Sequence, residues 1–404
     1  MKIRFSLKDI CLLITLLWGI CPPLIGNGSF RAICFLSATT WIFISAKNIT
    51  NKKLYYTIIL VMLSICIFNY LDSGMEGVIR NIQFIIFLFY VIAFLYYQDK
   101  PNELKELIPI FWLCLICCCI FNTTTLNAYT LQRNISRVLI RSSGEENIHI
   151  DNVENVGGFG YVYMILTLFP IIMEFLRNIK YFENYKKIII CYLTITSFLL
   201  ITRSGFSTAL IILYLSVFLY VLCPDKLNKT MFISFISSII IVVLITISFN
   251  SIEKHLIILS RNTMYENKVD DMIFSLENES VSGTISDRNE RYIRSLNLFI
   301  LNPIIGTGSF DDVGKHSFVL DSLAQYGIIL GGLIIYLALY SVIYLFKQKI
   351  FIRLSLTMFF AFSSCCFANR VGAQYGIVVF VLYLIAYNEL LLNKKISKNT
   401  DGVI

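Results

Sequence analysis

Between Leu54 and Leu71 the chain reads LYYTIILVMLSICIFNYL, an uncharged apolar run that begins after Lys52 and Lys53 and stops at Asp72. A helix rises about 1.5 Å per residue, so a run of this length covers most of a hydrocarbon core about 30 Å thick. A strand of a membrane barrel would instead alternate apolar and polar positions over about ten residues. The run reads as a membrane-spanning helix, and it has many counterparts. Apolar segments recur near 10–24, 32–45, 82–97, 108–126, 157–176, 188–202, 205–223, 231–249, 327–346, 350–368 and 374–392. The expected fold class is all-α: a polytopic transmembrane helical bundle of about twelve spans, with a large extracytoplasmic loop before the tenth. Residues 1–249 then carry helices one to nine, 250–326 form the large extracytoplasmic loop, and 327–404 hold the last three helices and a cytoplasmic tail.

Composition points the same way. The 404 residues are 57% hydrophobic and only 15% charged, with mean hydropathy +0.72, which excludes a water-soluble domain of this size. The net charge of +8 does not imply a nucleic-acid partner, because the lysines sit singly or in pairs between apolar runs and form no patch. Most of the twelve cysteines, such as Cys66, Cys114, Cys191 and Cys365, lie inside those runs, where a thiol acts as a small hydrophobe. Cys117, Cys118 and Cys119 are adjacent, so on a helix they point in different directions, and no histidine is near to complete a metal site. Lys2, Arg4 and Lys8 precede the first apolar run in the manner of a signal peptide, but no small-residue cleavage site follows Pro22 and Pro23. The segment reads as a retained first span.

Threading the runs alternately places Lys47, Lys52, Lys53, Lys100, Lys105, Arg177, Lys180, Lys186 and Lys187 on one side. Lys226, Lys229, Lys347, Lys349 and Lys394 join them, and the positive-inside rule makes that side the cytoplasm, with both termini there. The cations of the other side are mainly arginines, among them Arg80, Arg133, Arg137, Arg141, Arg203, Arg288, Arg291 and Arg370. Guanidinium binds phosphate through two parallel N–H groups, so this face is a candidate pyrophosphate site. The alternative is that single arginines anchor helix ends by snorkelling. Two segments on this side, 127–156 and 250–325, are long enough to hold structure of their own, and the polar, aperiodic part from Ser251 to Ser282 reads as a lid or linker.

The chemistry should lie in the long polar-containing stretch SGTISDRNERYIRSLNLFILNPIIGTGSFDDVGKHSFVLDSLAQYG, Ser282 to Gly327. Asp287 and Glu290 are spaced as a capping box, and Arg288, Tyr292, Leu296 and Phe299 fall on one helical face. Asn302-Pro303 ends that helix. Gly306 and Gly308 bracket a turn that needs backbone freedom. His316 then opens a second helix, sharing its packed face with Leu320, Leu323 and Gly327.

An arginine, an aromatic four residues later, an apolar helix, P-x-x-G-x-G and a histidine heading L-x-x-L-x-x-x-G together resemble the bacterial O-antigen polymerase and O-antigen ligase superfamily. The close match covers roughly a tenth of the chain. Tyr292 stands where tryptophan is common, Ser317 where asparagine usually follows the histidine, and Gln325 where glutamate is frequent. The resemblance implies a glycosyltransferase on the external face of a bacterial inner membrane, using a donor glycan on undecaprenyl pyrophosphate and needing neither metal nor nucleotide cofactor. It implies a lipid-linked oligosaccharide as acceptor and a chain-length regulator protein as a candidate partner. Polymerisation of repeat units is the first reading, transfer to lipid A core by a ligase the second. A flippase of the same glycan is a third, against which stands the lack of internal repeats.

The resemblance also assigns candidate site residues. His316 is the expected general base on the acceptor hydroxyl, since a histidine of ordinary pKa, about 6.5, is largely neutral near neutral pH and accepts a proton; an idle loop histidine or a hydrogen-bond donor to phosphate is the alternative. Arg288 and Arg203 hold the donor pyrophosphate, Arg203 through its resemblance to a short arginine turn of the superfamily, here Thr-Arg-Ser-Gly, or else as a membrane-edge anchor. Arg291, Tyr292 and Arg141 complete the substrate-binding set, with a solvated helix face the alternative for Arg291. Asp311 and Asp312 read as a solvated turn, a metal pair or an alternative base.

Overall fold

The computed structural model describes residues 6–25, 27–131, 156–223 and 283–400. They form helices α1 (Leu7–Ile20), α2 (Gly28–Ser45), α3 (Lys52–Arg80), α4 (Ile82–Tyr97), α5 (Ile108–Leu131), α6 (Phe159–Arg177), α7 (Asn184–Arg203) and α8 (Ser207–Leu222). The second part holds α9 (Gly283–Leu301), α10 (Phe318–Tyr326), α11 (Gly332–Lys347), α12 (Ile352–Ala368) and α13 (Ala373–Lys394). Among the described residues seven helices are long and apolar enough to cross a membrane, α10 and α11 counting as one, and α4, α8 and α12 are shorter apolar helices. The chain is a helical polytopic membrane protein. The apolar run 231–249 and the segments 132–155 and 251–282 lie outside the described residues.

Sequence explains which helices sit at the centre. From Ile85 to Tyr97, α4 is apolar all round and buried all round, a pattern reserved for interior helices. Its Phe87 packs on Phe84, Phe318 and Phe380, and its Phe94 meets Phe380, Tyr340 and Tyr344. Buried positions make up 89% of the span of α13 but only 22% of that of α3, so α3 lies at the periphery and presents Tyr56, Leu60, Leu63 and Ile67 outward.

Several boundaries differ from the sequence expectation. α3 continues past Leu71 to Arg80 across a break at Ser73 and Gly74, where Gly74 takes φ +62°. α9 begins at Gly283, so Asp287 lies inside the helix and is not its cap. The helix containing Gly327 starts at Phe318, because a five-residue π turn, Gly327–Gly331, carries α10 into α11. Gly327, at φ +68°, caps α10 one residue after the expected division at 326.

The two ends of the bundle differ in charge. At one end Lys8 and Lys100 converge on Glu103, Lys186 reaches Glu389 at 3.1 Å, and Trp112 donates to both oxygens of that carboxylate at 3.0 Å. Lys394 lies over Phe351 at the same end. The turns at 81, 157–159, 204–206, 302–317 and 369–372 gather at the other end, and there the arginines face a cavity.

Candidate functional site

The glycine turn is a clasp between α9 and α10. Pro303 follows the end of α9, and the chain doubles back so that Thr307 N–H and Gly308 N–H donate to the carbonyls of Ala324 and Gln325, each at 2.9 Å. These are carbonyls at the end of α10, where intrahelical donors run out. Ile328 N–H returns the contact to Pro303 O at 2.8 Å. Gly306 and Gly327 have φ +81° and +68°, and a Cβ on Gly327 would lie 2.1 Å from Ile304 O. The motif spacing between these glycines is thus a packing requirement.

A second set of bonds fixes the backbone around His316. Gly314 N–H donates to Ser295 Oγ at 2.8 Å, and Ser295 Oγ donates to Asp321 Oδ1 at 2.7 Å. Ser317 N–H donates to Asp321 Oδ2 at 3.2 Å, and the Ser317 side chain caps α10 by accepting from Leu320 N–H. Between these fixed points Lys315 takes φ +62°, a conformation that costs a non-glycine residue free energy and persists only where its surroundings hold it. His316 therefore lies just ahead of the helix, half-buried, and does not open it. Leu320 and Leu323 are likewise half-buried, while the polar Asp321, Ser322 and Gln325 take the buried positions. The packed face carries these polar groups beside Phe318, Ala324 and Tyr326, and most of it lines a cavity.

That cavity has a volume of about 820 Å³, a size typical of ligand sites. Arg288, Lys315, His316 and Arg370 line it, and Asp321 is the one carboxylate among the described lining residues. Arg288 donates to Thr208 Oγ1 at 2.7 Å. Arg370 stacks its guanidinium 3.9 Å from the centre of the Phe310 ring and makes one long bond, 3.4 Å, to Asn81 Oδ1. Among the described residues no carboxylate lies within ion-pair distance of either guanidinium. Burial lowers the Arg370 pKa and the nearby Asp321 carboxylate raises it, yet an arginine stays charged throughout. Lys315 differs, since Asp311 Oδ1 accepts from it at 2.7 Å.

The sequence-predicted residues divide accordingly. Arg288 and His316 line one cavity. Tyr292 is half-buried on the same helix as Arg288, bonding Ala368 O at 3.4 Å, and so braces α9 against α12. Arg291 is exposed, as is Arg294. Arg203, the last residue of α7, is exposed and does not line the cavity; its turn reaches the site through Phe206 and through Thr208, the partner of Arg288. Asp311 is engaged by Lys315, and Asp312 is exposed. Arg141 lies outside the described residues.

Sequence reasoning missed Asp321, Ser295, Asn81 and Gln374. Each interrupts an apolar or packed segment with a polar group, and an ionisable or amide side chain in such a place marks function by default. Behind Arg370, Asn81 Nδ2 donates to Asn69 Oδ1 at 2.8 Å, and both amides are buried.

Neither a protein-family model nor a curated protein matches the chain. What fold and site define is a helical polytopic membrane protein with a cationic cavity at one end of the bundle, lined by Arg288 of α9 and Arg370 of a turn.

Proposed function

We propose that the protein is a metal-independent glycosyltransferase that polymerises O-antigen or a related surface polysaccharide, joining undecaprenyl-pyrophosphate-linked repeat units on the external face of a bacterial inner membrane. The observation that carries this reading is the cavity itself: two guanidinium groups without carboxylate partners among the described residues, beside a histidine whose turn is tied by its backbone to both neighbouring helices. A pyrophosphate supplies the missing anion, and planar guanidinium suits it better than ammonium. The topology that goes with this function counts twelve spans, the ten apolar helices already described together with α1 and the run 231–249, with both termini cytoplasmic and the cavity end outside.

In the reaction, the acceptor hydroxyl attacks the anomeric carbon of the donor. The bond from that carbon to the pyrophosphate oxygen breaks, and the carrier leaves as undecaprenyl pyrophosphate. His316 takes the hydroxyl proton, while Arg288 and Arg370 stabilise the charge that gathers on the leaving oxygen. Asp321 and Ser295 hold the backbone on either side of His316.

The resemblance of the Arg288 to Gly327 motif favours a polymerase or a ligase, and both would use this site. A strain lacking the protein separates the readings. Single lipid-linked repeat units accumulating on the outer face indicate a polymerase, and finished polymer left on its carrier indicates a ligase. Units trapped on the cytoplasmic face would indicate a transporter and contradict the proposal.

A further inference from the structure

We infer that α9 is an interfacial helix, docked on phospholipid at the cavity end of the bundle with an apolar stripe among the acyl chains and Arg291 and Arg294 on anionic headgroups. The inference does not depend on the proposed function. One face of α9 belongs to the bundle: Arg288, Tyr292, Ser295 and Phe299 recur at steps of four, three and four, with Ser295 buried and the others half-buried. A second face is apolar and uncovered. Ile293, Leu296 and Ile300 recur at steps of three and four and are 46%, 44% and 63% exposed. Arg291 and Arg294 lie off this stripe, on either side of Ile293 in sequence, and are exposed as well.

The stripe runs on past the helix. Ile304 and Ile305 are exposed in the following turn, which the bond from Ile328 N–H to Pro303 O places beside Ile328 and Ile329, both exposed. These two belong to the element Phe318–Lys347, long and apolar enough to cross a membrane, so their outward side chains meet acyl chains. A patch continuous with that surface reaches the same environment, and large apolar patches are rarely left in water. An apolar stripe with arginines on the rest of the uncovered surface is the pattern of a helix lying at the boundary of headgroups and acyl chains. Among the described residues no carboxylate, that of the exposed Glu290 included, lies within ion-pair distance of Arg291 or Arg294. Headgroup phosphates supply the anions. A second copy of the chain pairing through the same face would instead bring its own Arg291 and Arg294 into the interface. Because Arg288 sits on the bundle side of α9 and lines the cavity, docking also sets the height of the cavity relative to the membrane surface.

The test uses the full chain in lipid nanodiscs with Ile300→Trp as a fluorescent reporter, since Trp18, Trp41 and Trp112 are all buried. Its emission above the wild-type background should be quenched strongly by phospholipid brominated near the headgroup, less by phospholipid brominated near the chain end, and little by aqueous acrylamide. Ile304→Trp is a second reporter with the same expectation and guards against a folding defect in the first. Quenching by acrylamide alone would place α9 in water, and quenching by none of the three would place it under protein; either result overturns the docking. The headgroup contact is read separately, as the preference of the purified protein for spin-labelled phosphatidylglycerol over spin-labelled phosphatidylcholine. Replacing both arginines, Arg291→Gln together with Arg294→Gln, should lower that preference at least about threefold. Wild-type protein with no preference, or a double variant that keeps the wild-type preference, overturns the assignment of these arginines to anionic headgroups.

Discussion

Ser295 and Asp321 meet through a 2.7 Å hydrogen bond that ties α9 to α10, and each also holds a backbone N–H of the turn carrying His316. The pair is a positioning device. Asp321→Ala strands Ser295 Oγ and Ser317 N–H in a buried setting, where each unpaired group costs about 1–3 kcal/mol. Thermal unfolding should show that loss. At temperatures where the variant stays folded, kcat should fall with KM little changed, and Asp321→Asn should recover part of it.

The glycine clasp predicts a purely structural phenotype. Gly327→Ala places a Cβ against Ile304 O on a backbone at φ +68°, a region costing other residues on the order of 1–3 kcal/mol before any clash. The expected result is a lower melting temperature and reduced protein level. Unchanged stability would show that the turn relaxes freely.

Arginine geometry separates two residues that look alike in sequence. Arg288→Lys keeps the charge but loses the fork, and charge-assisted bonds are worth about 1.5–3 kcal/mol, so donor affinity should drop about 10- to 100-fold. Arg203→Lys should change it less than about threefold, because Arg203 is exposed at the end of α7 and does not line the cavity. Donor binding to both purified variants checks the contrast.

At the lysine-rich end, burial raises the Glu103 pKa, but hydrogen bonds from Lys8 and Tyr96 and the charges of Lys8 and Lys100 outweigh it and hold the carboxyl below its ordinary range. A lowered carboxylate pKa stabilises the fold above the unfolded-state value, and that contribution disappears as pH falls through the folded-state value. Glu103 is about a third exposed, so the effect should stay under about 1 kcal/mol. Wild type should melt above Glu103→Gln at pH 7, and the difference should shrink toward acid pH.

The apolar runs and the lysine asymmetry were legible in the sequence because a membrane imposes them on every span. Arg288, Pro303, Gly306, Gly308 and His316 were legible because they lie in one continuous motif. Asp321 was not, and Arg370 was read only as one of the many arginines of the candidate pyrophosphate face. Asp321 finds its partner 26 positions away and Arg370 finds Asn81 289 positions away, separations that no local periodicity records. The His316 turn was also misread, since the 3.6-residue period assigned Leu320 and Leu323 to the packed face. A cavity lined by polar side chains changes that logic, and Asp321, Ser322 and Gln325 are buried there beside Phe318 and Tyr326.

The most direct measurement is single-turnover glycan transfer by purified protein in nanodiscs, with donor binding followed in parallel. A positioned general base contributes typically about 10²–10⁴ in rate, so His316→Ala should slow extension by that order while donor affinity stays close to wild type. Extension at the wild-type rate by His316→Ala would contradict the account.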